Sequence, residues 1–171
     1  MNKLKLYLPK DSVYKDIPPY LAFAFSLIGT MEIKGKKSNP IIDDMLATVG
    51  MPSDDDIPWC SADINYCLIQ TGFRGTGKPN ARSFLSYGVK IATPIFGCIA
   101  VYSRGDPTGW KGHVAFYLDQ EGGHDIVIGG NQDNRHGIDF YQRDRLLGYR
   151  LPVLVKSTPN AQIDLFKKEQ V

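Results

Sequence analysis

Cysteine is scarce in this 171-residue chain. There are three, Cys60, Cys67 and Cys98. An odd count without a C-x-x-C pair excludes a fully paired disulfide framework and points to synthesis in a reducing compartment. Long apolar runs are also missing. The longest, Tyr20 to Ile28, falls far short of the ~20 residues that span a bilayer and reads as a buried helix, so no membrane insertion is expected. The stretch Met1 to Pro9 has no uninterrupted apolar core of the signal-peptide kind, so the chain is expected to be made in the cytoplasm without such a leader. Neither sign of charge dominates: 20 basic against 18 acidic residues leave a net +2, too balanced to suggest nucleic acid. Repeats, low-complexity tracts and metal-ligand pairs at finger-like spacing are absent too, so no metal and no cofactor is expected.

What remains is the composition of an ordinary globular domain, 43% hydrophobic and 22% charged. The punctuation divides it. Residues 1–17 read as a mixed N-terminal extension, 18–153 as one domain, and 154–171 as a short tail. Pro18-Pro19 opens a helix running to about Ile28. Asn39 caps a second helix with Pro40 at its first position, and Gly50 stops it. Acidic residues and Pro58 precede a third, from about Trp59 to Gln70, in which Trp59, Ala62, Tyr66 and Ile69 recur at helical spacing. A fourth covers Ala81 to Tyr87. Strand patterns follow at Cys98–Ser103, His113–Asp119, Ile126–Gly130, Ile138–Tyr141 and Leu147–Val153. Helices first and strands afterwards predict an α+β fold, N-terminal helices packed on a C-terminal antiparallel sheet.

Two side chains in this frame carry chemistry. Cys60 falls in the first turn of a helix, where free N–H groups and the helix dipole favour a thiolate. Asp54 to Asp56 oppose that if they point inward, so a nearby imidazolium is needed as well. His113 begins a strand, with Gly112 before it allowing close backbone approach. Centring the hairpin on Gly122-Gly123 sets His113 opposite Gln132, or opposite Asn131 after a one-residue adjustment. An amide there can hold the imidazole in one tautomer, as the third member of a Cys–His–polar triad does.

Pro58-Trp59-Cys60-Ser61-Ala62 resembles the nucleophile motif of the NlpC/P60 and CHAP papain-like peptidoglycan hydrolases. Gly75-Thr76-Gly77, Asn80-Ala81-Arg82-Ser83, Gly112-His113-Val114-Ala115-Phe116-Tyr117, Gly129-Gly130-Asn131-Gln132 and Leu147-Gly148-Tyr149-Arg150 resemble a small phage and bacterial subgroup of that superfamily. Gly29, Glu32, Gly35 and Asn39-Pro40 fit as well, so the likeness spans about residues 20–152. It implies a papain-like fold with Cys60 as nucleophile, His113 as base and Asn131 as orienting residue. The implied activity is cleavage of an amide in bacterial peptidoglycan, at the muramoyl–alanine bond or within a stem or cross-bridge peptide. Such a protein would be a phage lysin or lytic effector, acting as a monomer on the cell wall after delivery by holin, virion or secretion.

Trp59, Arg82 and Gln132 are candidates for substrate contact. Trp59 equally suits packing at a helix start, and Arg82 suits either a substrate carboxylate or a structural contact. Asp63 and Cys98 depart from the family pattern, which is usually apolar at the first and often Asp at the second. Cys67 and Cys98 are expected in the core, Cys67 alternatively beside the cleft. His124 and His136 are expected in exposed turns, and Arg104-Gly105-Asp106 is expected to be a chance tripeptide in a loop. Two other readings fit the same residues: a cysteine hydrolase or acyl transferase on a non-wall amide, and a module that keeps the fold without catalysis.

Overall fold

A computed structural model describes residues 17–35 and 37–154. The expected N-terminal extension, apart from Ile17, and nearly all of the C-terminal tail lie outside the described residues.

Proline and asparagine place the helices as the punctuation predicts. Helix α1 is Pro19–Ser26, with Pro18 preceding it. Helix α2 is Pro40–Ala47, and its Asn39 side chain accepts from the Ile41 N–H at 3.0 Å. Helix α3 is Cys60–Gln70. The fourth predicted helix is a 3-10 segment, Ala81–Ser86, begun by the Asn80 side chain accepting from Arg82 N–H.

Six strands follow: β1 Val89–Ile91, β2 Ile99–Ser103, β3 Gly112–Glu121, β4 His124–Gln132, β5 Arg135–Gln142 and β6 Leu146–Leu151. They form one sheet in the order β1-β6-β2-β3-β4-β5, antiparallel at every pairing. The fold is therefore α+β with helices on an antiparallel sheet. Strand β1 escaped the sequence reading because it is three residues long and mostly exposed, so it shows no apolar alternation.

Strand alternation splits the interior in two. Val101, Val114, Phe116 and Ile128 face α1 and α3, packing with Leu21, Phe25, Ile64 and Leu68. Cys98, Ala100, Tyr102, Ala115, Tyr117, Val127 and Tyr149 fill the other face. There the buried Asp125 accepts from the hydroxyls of Tyr102 at 2.8 Å and Tyr149 at 2.7 Å. A third cluster joins α2 to α3 through Ile42, Met45, Leu46 and Trp59.

Candidate active site

Cys60 is the first residue of α3. Trp59 precedes it as N-cap without a side-chain cap bond, so no side chain competes for the first-turn N–H groups. The thiol is 4% exposed and lies on a cleft of about 350 Å³ shared with Pro58, Asn80, Arg104, Trp110 and Gly112. Burial raises its pKa. The Arg104 guanidinium and the N–H groups of Val114 and Ser61 oppose that shift, while Asp63 adds to it.

The position of α3 rests on buried polar bonds. Ser61 Oγ donates to Lys78 O at 2.7 Å, and Asn65 Oδ1 accepts from Gly77 N–H at 2.9 Å. Gly75 is forced, because a Cβ there would collide with Asn65 Oδ1. Asp63, where the sequence resemblance leads to an apolar side chain, is fully buried. It accepts from Gly130 N–H at 2.8 Å and pairs with His136 Nδ1 at 2.8 Å, tying α3 to the ends of β4 and β5. His136 is thus a buried partner rather than an exposed turn residue, a correction that no local pattern signals across 73 positions. Asp55 is structural as well: it accepts from Ile33 and Asn39 N–H groups, at 2.9 and 3.0 Å.

His113 is fully buried at the start of β3, its ring stacked on Tyr141 at 4.4 Å and 4°. Gln132 Oε1 lies 3.1 Å from Nε2, while Gln132 Nε2 donates to Gly137 O at 2.7 Å. That second bond decides the amide's orientation, so its oxygen faces the ring. His113 therefore carries its proton on Nε2 and leaves the Nδ1 lone pair as the basic site. The orienting contact belongs to Gln132, not to Asn131, which corrects the family-based expectation.

Two irregularities produce this result. A bulge between Tyr117 and Asp119 shifts the β3–β4 register by one, so simple extrapolation would oppose His113 to Asn131. Asn131 then adopts φ 56°, the β4–β5 register breaks between Gly129 and Gln132, and Gln132 turns back onto the ring.

No hydrogen bond joins Cys60 to His113 among the described residues. Arg104 occupies the basic nitrogen instead, its Nη2 3.1 Å from His113 Nδ1 and 3.4 Å from Asn131 O. Burial first, then Arg104, pulls the imidazole pKa down to about 3 against the opposing Gln132 bond, with Arg145 adding to the depression. The resting pair is a neutral thiol and a neutral imidazole. The sequence pattern puts Arg104 in a chance loop tripeptide and gives no sign of Tyr141. The one available signal for Arg104 was a cation directly following a strand that ends beside the cleft.

The other candidates resolve differently. Trp59 is fully buried, donates Nε1–H to Glu32 Oε1 at 2.8 Å, and packs so tightly on Gly130 that a Cβ there would overlap its ring. It does not line the cleft. Arg82 donates to Lys111 O at 2.9 Å, Pro107 O at 2.9 Å and Asp106 O at 3.2 Å, so its guanidinium clamps the β2–β3 loop instead of facing a substrate carboxylate. Cys67 and Cys98 are fully buried in the core.

The depressed His113 pKa has a thermodynamic consequence. An unfolded histidine binds a proton near pH 6.5, but the folded chain holds His113 neutral down to about 3. Between those values the unfolded state binds the extra proton, so this contribution to stability is complete above about pH 6.5 and declines as pH falls. His113 alone is expected to remove about 2 kcal/mol between pH 6.5 and pH 5, at 1.36 kcal/mol per unit. Urea unfolding of wild type and His113→Gln at pH 7, 6 and 5 measures it. The variant should lose less stability over that range, and equal losses would refute the assignment.

Among the described residues no helix is long and apolar enough to cross a membrane, and no three His, Cys, Asp or Glu side chains converge as a metal site. A scan against protein-family models matches none, and comparison with curated proteins finds no match.

Proposed function

We propose that the protein is a cysteine-dependent amide hydrolase of papain-like type whose substrate is bacterial peptidoglycan. The observation that supports this most is the chain His113 Nε2, Gln132 and Gly137 O, which leaves Nδ1 as the imidazole's acceptor, together with Arg104, which reaches that nitrogen and lines the cleft of the helix-start cysteine. In the reaction the Cys60 proton passes to His113 Nδ1 and the thiolate attacks the amide carbonyl. First-turn N–H groups of α3 supply oxyanion stabilisation, each such donor being worth roughly 3–4 kcal/mol in acyl transfer. The imidazolium then protonates the leaving amine, and water resolves the thioester. Peptidoglycan as substrate rests on the sequence resemblance, as do action at the cell wall and the phage-lysin or effector role.

Purified walls from several bacteria, incubated with the protein, should lose turbidity and release fragments whose masses identify the bond cut. Prior treatment with iodoacetamide should stop the release. A folded protein that frees no fragment from any wall would remove peptidoglycan as the substrate.

The reading of a catalytically silent module has its own support in Arg104 on His113 Nδ1 and in the raised thiol pKa. Hydrolysis of any amide that is abolished by alkylation of Cys60 would end it.

A further inference from the structure

The Arg104 side chain is held by weak partners for its type. Its hydrogen-bond partners are uncharged: His113 Nδ1 and Asn131 O share one guanidinium nitrogen, and the Tyr141 hydroxyl also meets the guanidinium. Among the described residues the carboxylates within reach of a basic side chain are Asp63, on His136, and Asp125, on Arg143, so no carboxylate sits on Arg104. A guanidinium binds a carboxylate through two parallel charge-assisted bonds, roughly twice as strong as neutral ones.

Arg104 also lines two hollows. It lines the cleft with Cys60, and it lines a neighbouring depression of about 590 Å³ with Arg145, His124, Asp139 and Tyr141. Arg145 there donates to Ser103 O at 3.2 Å, and Asp139 is the acidic residue of that depression. The backbone beneath Arg104 is held, since Arg104 N–H donates to Lys111 O at 3.3 Å and Arg82 clamps the loop at three carbonyls. Any displacement falls to the side chain.

We propose that Arg104 is the cleft's carboxylate receptor, and that a substrate carboxylate next to the scissile amide draws its guanidinium off His113 and frees Nδ1 for the Cys60 proton. This rests on the amide-hydrolase reading and names its substrate class: acyl donors bearing a free carboxylate close to the bond cut. When Arg104 turns to that carboxylate, the S–H bond breaks, sulfur keeps the electron pair, and the proton goes to Nδ1 while Nε2–H remains donated to Gln132. An amide without the carboxylate meets a blocked base.

The test uses two alkylating probes that differ in one charge, iodoacetate and iodoacetamide. Cys67 and Cys98 are fully buried, and mass spectrometry of the Cys60 peptide confirms the site of reaction. The iodoacetate-to-iodoacetamide rate ratio should fall about tenfold from wild type to Arg104→Gln, the loss of one charge-assisted contact. The iodoacetamide rate should fall less than the iodoacetate rate, because both reagents lose Arg104's support of the thiolate but only iodoacetate also loses a carboxylate contact. In Lys111→Gln, which removes the other cation of the cleft, the ratio should fall much less. An unchanged ratio in Arg104→Gln overturns the proposal. So does a parallel fall of both rates, which would make Arg104 a stabiliser of the thiolate alone. No wall substrate enters these measurements, so the two readings fail separately. Selective alkylation without wall hydrolysis removes the peptidoglycan reading, and wall hydrolysis without selectivity removes the receptor.

Discussion

Replacing Cys60 by alanine is expected to lower turnover of the hydrolysed amide by at least about 10⁴-fold, and His113→Ala should do the same. Neither residue has a substitute. Cys67 and Cys98 are sealed in the core, and His136 is committed to Asp63. In the proposed reaction the two groups act as a unit, because the thiol pKa is raised by burial and the thiolate forms only if a base takes its proton. The double variant Cys60→Ala/His113→Ala should therefore lose no more than either single one. Gln132→Ala keeps both reacting groups but releases the ring to rotate and change tautomer, so a smaller loss, on the order of 10²-fold, is expected. Initial rates at saturating substrate, with urea unfolding to verify the fold, measure all four variants. Activity of Cys60→Ala within tenfold of wild type would mean that another group is the nucleophile. Additive losses in the double variant would separate the two residues into independent roles.

The order of these effects depends on details of register that alternation does not encode. Helix starts were legible because proline and asparagine act locally: Asn39 and Asn80 each bond an N–H two residues on. The hairpin at Gly122-Gly123 was legible for the same reason, since Glu121 pairs with His124 across it. Beyond the turn, extrapolation assumes a regular ladder. The bulge at Tyr117/Asp119 and the positive φ at Asn131 each break it, and their effects on which side chain reaches His113 cancel. Sequence counting thus named Gln132 among its two options without containing either cause. Arg104 and His136 stayed hidden because their partners come from other elements, His113 across a loop and Asp63 from α3. A short-range pattern reads them as exposed polar residues, the common state of their types.

Asp63 is the position where that hidden pairing should have its largest effect on stability. Asp63→Ala is expected to destabilise the fold by about 3–5 kcal/mol, the usual result of removing one partner from a buried pair. Three groups lose a contact at once: His136 Nδ1, the Gly130 N–H and, at 3.9 Å, the Cys67 thiol. None has access to water, because the surrounding residues are fully buried and Trp59 packs against Gly130. Among the described residues His136 Nε2 already lacks a partner, so the ring has no alternative bond there to turn to. Asp63→Asn should be milder, since its amide oxygen can still accept from Gly130 N–H. Removing both polar groups, in Asp63→Leu/His136→Phe, should recover part of the Asp63→Ala loss, because an apolar pair of similar volume leaves fewer groups unpaired. Urea midpoints at pH 7 for the four proteins decide this. A loss below about 1 kcal/mol in Asp63→Ala would show that the pair contributes no more than an exposed one. The expected loss would also reach the cleft, because Gly130 precedes the turn at Asn131 that aims Gln132. A buried carboxylate at position 63 would then be what holds Gln132, and through it His113, in register.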